Sequence, residues 1–188
     1  MNLPEKVSAV EEVMKSLDEQ VQTFQGWSGL GCKTGCGKCC FKADIEATVL
    51  EFLPLAVHLH SVNQAEIWLE KLSANPSEWC AVLDTTATAG MCSNYKYRGL
   101  ICRLFGFSAR LNKHSFKELV TCQIIKSEQS EKYLQANALL ANHSVPVTSQ
   151  YYMQLHAIDF EMAREFFPIN EAIKRALQVI LHYYAYRS

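Results

Sequence analysis

Four cysteines stand close together in a glycine-rich stretch near the beginning of the chain. The stretch reads Cys32-Lys-Thr-Gly-Cys36-Gly-Lys-Cys39-Cys40. Thiols separated by two or three residues can reach one metal centre, because a tight turn directs their sulfur atoms to the same side. Gly35 and Gly37 allow such a turn to adopt positive φ values, and their exposed N–H groups can hydrogen-bond thiolate sulfur. The stretch therefore predicts a thiolate site for zinc or for an iron–sulfur cluster.

Cys39 and Cys40 are neighbours in the sequence, and this bears on how many sites the cysteines form. Adjacent side chains of an extended segment point to opposite sides. We therefore expect that Cys39 and Cys40 need not ligate the same metal. One can ligate while the other packs, or each can serve a different centre.

Four more cysteines follow at wider spacing. They are Cys80, Cys92, Cys102 and Cys122. Cys92 and Cys102 are ten residues apart, a separation that a folded-back loop or a short helix can bring together. Residues 77–110 show no sustained periodicity, and a bound metal would give such a long irregular segment a reason to be ordered. Arg98 and Arg103 flank Cys102, either to compensate the charge of an anionic cluster or to pair with nearby acids.

The composition indicates a globular protein rather than a secreted disulfide scaffold. The chain has 188 residues, of which 49% are hydrophobic and 20% are charged, and its net charge is -1. No apolar run reaches the ~18 residues of a membrane span, the N-terminal residues lack the pattern of a signal peptide, and no basic stretch indicates nucleic acid. We therefore expect a cytoplasmic protein without membrane or nucleic-acid partners. In a reducing compartment, its eight cysteines indicate metal rather than disulfides.

The elements that must hold the cysteines are predicted to be helices. Apolar residues three and four apart predict an amphipathic first helix that ends at Gly26. A second helix is predicted from Ile45 to Leu59 with Asp44 as its N-cap. A third is predicted over residues 64–72, before the turn signal Asn75-Pro76.

The second half of the chain continues the helical pattern. Ser115 and Glu118 predict a capping box that opens a helix containing Cys122. Further helices are predicted over residues 128–142, from Tyr151 to Phe166, and from Asn170 to Tyr184. No strong alternating strand pattern is present. The sequence predicts a mainly α fold, with a single helical domain over residues 1–188, irregular cysteine-rich metal-binding loops and a motif core over residues 32–122.

The cysteine pattern resembles the CxxCxxCC cysteine-cluster family, also called YkgJ-like, a family of zinc- or iron-chelating domains. The Gly-Cys-Gly-Lys-Cys-Cys setting of the first block carries the resemblance, and three later motifs extend it. These motifs contain Cys80, Leu83 and Asp84; then Gly90, Cys92 and Tyr95; and then Arg98, Cys102, Arg103 and Phe105. The resemblance covers residues 32–106, with Cys122 as a trailing cysteine. The chain departs from the family pattern in its Cys-x3-Cys first spacing, and in Gly99 where the family usually has proline.

The resemblance implies that the chain binds a metal ion or an iron–sulfur cluster. We expect the ligands to come first from Cys36, Cys39, Cys92 and Cys102, then from Cys40, Cys80 and Cys122, and last from Cys32. Four thiolates suit zinc as well as a [4Fe–4S] cluster. We favour the cluster, because closely spaced thiols beside exposed glycine N–H groups suit it slightly better. Eight cysteines allow one site with spare thiols or two sites.

Three hypotheses for the function follow. The first is a metal-ordered binding or assembly module whose helices form a surface for a protein partner. The second is a redox or methyl-transferring enzyme, because one branch of the family resembles the flagellin lysine methylases. The third is a sensor whose spare thiols pair on oxidation. An enzyme should show a deep pocket that reaches the cluster, whereas a structural module should show a closed and buried site.

Overall fold

The computed structural model describes residues 1–74, 78–86 and 91–186. Across these ranges the chain has nine α-helices and three two-stranded antiparallel ladders, which confirms the mainly α fold with cysteines in loops. The helices are α1 (Leu3–Ser28), α2 (Leu53–Ser61), α3 (Ala65–Ala74), α4 (Leu100–Leu104), α5 (Gln123–Glu128), α6 (Ser130–Leu139), α7 (Thr148–Ile158), α8 (Phe160–Ala163) and α9 (Ile169–Ala185). The strands are β1 (Glu46–Ala47), β2 (Leu83–Asp84), β3 (Met91–Cys92), β4 (Ser108–Leu111), β5 (Lys117–Val120) and β6 (Phe167–Pro168). No helix in these ranges combines the length and the apolar character needed to cross a bilayer.

The first helix is confirmed, but it ends slightly later than the sequence predicts. Most of its apolar seam is buried, namely Val7, Val10, Met14, Leu17 and Phe24. α1 continues past Gly26 and ends at Ser28. Its end is set by Gly29, which has φ +64° and whose N–H donates to the Gln25 carbonyl at 2.9 Å. The positive φ turns the chain out of the helix.

The second helix begins later than predicted, and Asp44 is not its N-cap. β1 pairs with β6 where the helix was expected to start. The Thr48 N–H donates to Glu51 Oε1 at 2.7 Å, and the Glu51 N–H donates to the Thr48 hydroxyl at 3.4 Å. This reciprocal capping box begins a 3₁₀ turn, Leu50–Phe52, that leads into α2. Strand pairing and the Thr48 cap therefore replace the first turns of the predicted helix.

A β-hairpin replaces the helix that was predicted to open at Ser115. β4 and β5 pair in antiparallel register, with Ala109 opposite Leu119, and both of these residues are buried. Ser115 lies in the connecting turn with φ +64°, a conformation that no helix N-cap adopts. The predicted capping box was wrong, because the residues after Ser115 form hydrogen bonds with the neighbouring strand β4 instead of within a helix.

The last helices differ from the prediction at one position. The expected helix from Tyr151 to Phe166 is divided into α7 and α8. The break falls at Asp159, whose Oδ1 accepts a hydrogen bond from the Met162 N–H at 3.1 Å and so caps α8. The final helix is confirmed as α9, and α3 and α6 lie where helices were predicted. The turn signal Asn75-Pro76 lies outside the described residues.

The chain divides into two compact units. The first unit comprises Met1–Glu11, Gly35–Gly99 and Leu155–Ser188. In its core, α2 and α3 pack against α9. The large side chains that these helices bury include Leu53, Leu55, Ile173, Leu177 and Ile180. Because α9 has one continuous apolar face, it organises this unit.

The second unit comprises Glu12–Thr34 and Leu100–Gln154. Its core joins the end of α1 to the hairpin and to α5 and α6. The buried side chains of this core are Phe24, Leu30, Ala109, Leu119, Ile125, Ala136, Leu140 and Val145. The hairpin gains one more connection through a parallel bridge between Ala109 and Val147.

Gly99, in the first unit, leaves no room for a side chain. A Cβ at this position would lie 2.7 Å from Phe52 Cζ and 2.8 Å from Glu51 Oε2. Both neighbours are buried, and Glu51 already serves the capping box that precedes α2. The contact is therefore hard to relieve.

We expect Gly99→Ala to lower the free energy of unfolding by about 1–3 kcal/mol, the usual cost of overpacking a core. Urea denaturation measures this change. Gly26→Ala is the matched control: a Cβ there meets nothing within 4 Å, and alanine inside a helix adds about 0.5–1 kcal/mol. Equal free energies of unfolding for the two variants would contradict this prediction, because they would show that Phe52 and Glu51 move aside without destabilising the fold.

Candidate metal centre

Cys39 and Cys40 lie in a 3₁₀ turn, Lys38–Phe41, rather than in an extended segment. A bend at Gly35, with φ +73°, precedes the turn, as expected, whereas Gly37 has φ -101° and needs no glycine. Successive side chains of a 3₁₀ helix are about 120° apart, since it has about three residues per turn. The Cys39 and Cys40 side chains therefore leave the turn about 120° apart and not on opposite sides. The expectation that they point to opposite sides was wrong, because it assumed extended backbone.

Cys80 and Cys92 come from a second segment of the same unit. Cys92 lies on β3 opposite Leu83 of β2, and the Leu83 N–H donates to the Cys80 carbonyl at 3.0 Å. The Cys80 N–H donates to the Cys40 carbonyl at 3.1 Å, which ties this segment to the 3₁₀ turn. Cys80 is buried, with 8% of its surface exposed.

The pKa values of Cys39 and Cys80 are shifted by neighbouring cysteines. A hydrogen bond from Cys40, together with backbone N–H groups and the Arg98 guanidinium, outweighs burial and lowers the pKa of Cys39 to about 6. Burial raises the pKa of Cys80 to about 11, and the neighbouring Cys92 and Cys39 thiols add to this increase. We call Cys39, Cys40, Cys80 and Cys92 the thiol cluster. A bound cation would favour the thiolate form of every member.

The donor set of the thiol cluster fits zinc or an iron–sulfur cluster. Both take sulfur ligands, and four thiolates complete either of them. Over the described ranges, no three His, Cys, Asp or Glu side chains are already arranged to hold a metal ion. None of the eight cysteines is in a disulfide. Ligation therefore requires the cysteine side chains to rotate about their Cα–Cβ bonds from the positions seen here.

Arg98 and Arg103 have different roles in the structure. Arg98 lies near Cys39 and lowers the pKa of its thiol. Its guanidinium stacks over the Tyr95 ring at 3.6 Å, and its Nε donates to the Tyr95 carbonyl at 3.1 Å. Arg103 is buried in the second unit and forms an ion pair with Asp18. Arg98 therefore fits the charge-compensating role considered from the sequence, and Arg103 fits the ion-pair role.

The remaining predicted ligands are distributed over both units. Cys36 is half-buried and lies in the same loop as Cys39. Cys102 lies on α4 in the second unit. Cys32 is exposed, and the backbone just before it is held by Gln129, which accepts from the Gly31 N–H and donates to the Gly31 carbonyl.

Cys122 has a different environment from the thiol cluster. It is the N-cap of α5, and its Sγ accepts a hydrogen bond from the Ile125 N–H at 3.4 Å. The side chain also packs against the apolar core of the second unit. A helix cap and a core contact thus account for this thiol without a metal.

Three residues beside the thiol cluster carry no signal in the sequence. Phe41 and Trp79 form an edge-to-face pair with ring centroids 5.2 Å apart, next to Cys40 and Cys80 in the chain. Asn170 donates to the Trp79 carbonyl from the first turn of α9. The contacts join segments that are far apart in sequence, so no local spacing could have indicated them. Gly90, which belongs to the family pattern, lies outside the described residues.

A cavity of about 150 Å³ lies elsewhere in the first unit. It is formed by the start of α1 together with side chains from α2 and α9, and Tyr183 and Tyr184 line it. None of its lining residues is a cysteine. This cavity therefore does not have the property expected of an enzyme pocket that reaches the metal.

A mainly helical chain with clustered cysteines in its loops has the donor set of a thiolate metal-binding protein. The family described as "CxxCxxCC: Putative zinc- or iron-chelating domain" matches residues 31–136. The match spans more than half of the chain, so the protein belongs to this family of cysteine-cluster, metal-chelating proteins. No curated protein and no solved structure matches the chain.

Proposed function

We propose that the thiol cluster holds the metal of this protein, as one zinc ion or one iron–sulfur cluster. The observation that carries the proposal is the meeting of two distant segments at Cys80, whose thiol is influenced by both Cys39 and Cys92. The backbone bond from Cys80 to Cys40 fixes the two segments side by side. Cys36, in the same loop, is a further thiol of this unit.

A [4Fe–4S] cluster is our preferred form of the metal. Such a cluster with four thiolates is anionic, and Arg98 supplies a positive charge beside Cys39. The glycines of the first loop expose N–H groups that suit cluster sulfur. Zinc would order the loops without redox chemistry, whereas a cluster would add electron transfer.

We propose a metal-ordered binding or assembly module as the role of the protein. The segments that carry the thiol cluster have only short ladders and 3₁₀ turns, so a metal has loops to order. None of the eight cysteines forms a disulfide, which suits the reducing conditions of the cytoplasm.

Metal and sulfide analysis of protein purified without oxygen tests this proposal. Iron with matching sulfide and a broad absorption band near the violet edge would establish a cluster. One colourless zinc ion per chain would establish a zinc site. A chain that binds neither metal after incubation with zinc, or with ferrous iron and sulfide, would contradict the proposed function.

A further inference from the structure

Asn170 holds the backbone on both sides of Cys80. Its Oδ1 accepts a hydrogen bond from the Ala81 N–H at 2.8 Å, and its Nδ2 donates to the Trp79 carbonyl at 2.7 Å. The carboxamide thus pairs with the chain as a neighbouring peptide group would. Both bonds are short and join residues about ninety positions apart in the sequence.

The element that carries Asn170 is itself firmly anchored. The Ile169 N–H donates to the Ile45 carbonyl at 2.9 Å, and β6 pairs with β1 just before the helix begins. Ile169 and Ile173 are buried in the first unit. Lys71 of α3 adds a bond of 3.4 Å to the Ala81 carbonyl. The Cys80 segment is therefore attached to two packed helices.

Metal affinity depends on how precisely each ligand is held, because second-sphere hydrogen bonds orient the ligands. We propose that Asn170 is a positioning residue for the metal centre, which fixes the backbone of Cys80 so that its sulfur faces the other thiols. This inference rests on the proposed function of the thiol cluster. It adds a residue that lies about 30 positions beyond the matched family region.

The helix position of Asn170 allows positioning to be separated from helix stability. Asn170 lies in the first turn of α9, where an acidic side chain is favourable because of the helix dipole. Aspartate would therefore preserve or increase the stability of the helix. It keeps an acceptor for the Ala81 N–H, but it cannot donate to the Trp79 carbonyl.

The test compares Asn170→Asp and Asn170→Ala with the wild-type chain. Zinc affinity is measured by competition with a chromophoric chelator, and the thiolate-to-metal band of the cobalt-loaded protein reports the number of sulfur ligands. Urea denaturation of the metal-free protein measures stability separately. Asn142→Asp is the matched control, since it makes the same change of charge at an exposed turn residue in the second unit.

We expect both Asn170 variants to bind zinc about 10- to 100-fold more weakly, the usual effect of removing a second-sphere partner. Asn142→Asp should bind as the wild type does. Metal-free Asn170→Asp should unfold at a urea concentration no lower than metal-free Asn170→Ala, because it keeps the bond to the Ala81 N–H. Wild-type affinity and an unchanged cobalt band in Asn170→Asp would overturn the inference and leave the proposed function standing. A wild-type chain without thiolate-bound metal would overturn both.

Discussion

Replacing Cys80 by serine should lower the affinity for zinc by at least about 100-fold, since losing a second-sphere partner alone costs about 10- to 100-fold. Cys80 is the buried member of the thiol cluster, and it is influenced by both Cys39 and Cys92. A serine hydroxyl stays protonated at neutral pH and is a poor ligand for a soft metal site. Competition with a chelator measures the loss, and iron and sulfide content measure it if the native group is a cluster.

Cys122→Ser is the control for this experiment. Serine is a preferred N-cap, so its hydroxyl can replace the sulfur that accepts the Ile125 N–H. The control should keep both its fold and its metal. Equal zinc affinity in Cys80→Ser and Cys122→Ser would contradict the assignment of Cys80 to the metal centre. The same substitution at each remaining cysteine would then determine the ligand set.

The parts of the fold that the sequence predicts best are its long helices. α1 and α9 have many apolar residues at helical spacing, so their existence does not depend on any single cap. The short elements were harder to predict, because the same capping-box pattern occurs both where a helical turn begins and where no helix forms. Ser115 and Glu118 match the pattern but lie in a hairpin, whereas Thr48 and Glu51 form the real cap.

The cysteine-rich loops were predictable, but the way in which their thiols group was not. Spacing correctly indicated that Cys39 and Cys40 lie in one loop, yet it could not show that a 3₁₀ turn brings their thiols together. Cys80 ranked below Cys102 as a ligand predicted from the sequence. Cys80 is held by its backbone hydrogen bond to the Cys40 carbonyl, and the residues on either side of it are hydrogen-bonded to the Asn170 carboxamide. Such long-range contacts follow from the packed fold and not from local spacing.

Removal of the metal should loosen the loops of the thiol cluster while the rest of the fold persists. Among the described residues 78–86 and 92–98, only Cys80 and Val82 are buried, and the β2–β3 ladder has two residue pairs. These segments bury too little apolar surface to offset the entropy of ordering them. We therefore expect a bound metal to supply much of the free energy that orders them.

Chelation should consequently lower the melting temperature by roughly 10 °C. A ligand present at about 1,000 times its Kd stabilises the folded protein by about 4 kcal/mol. Each kcal/mol shifts the melting temperature of a chain of this size by about 2–4 °C. Differential scanning calorimetry measures the shift, and hydrogen exchange locates it. Amides of Lys38–Phe41 and of residues 78–86 should exchange faster in the metal-free protein. The β4–β5 hairpin is the internal control, since its ladder is anchored by the buried pair Ala109 and Leu119. If the hairpin and the cysteine loops gained exchange equally, or if neither changed, the metal would not be what orders these loops.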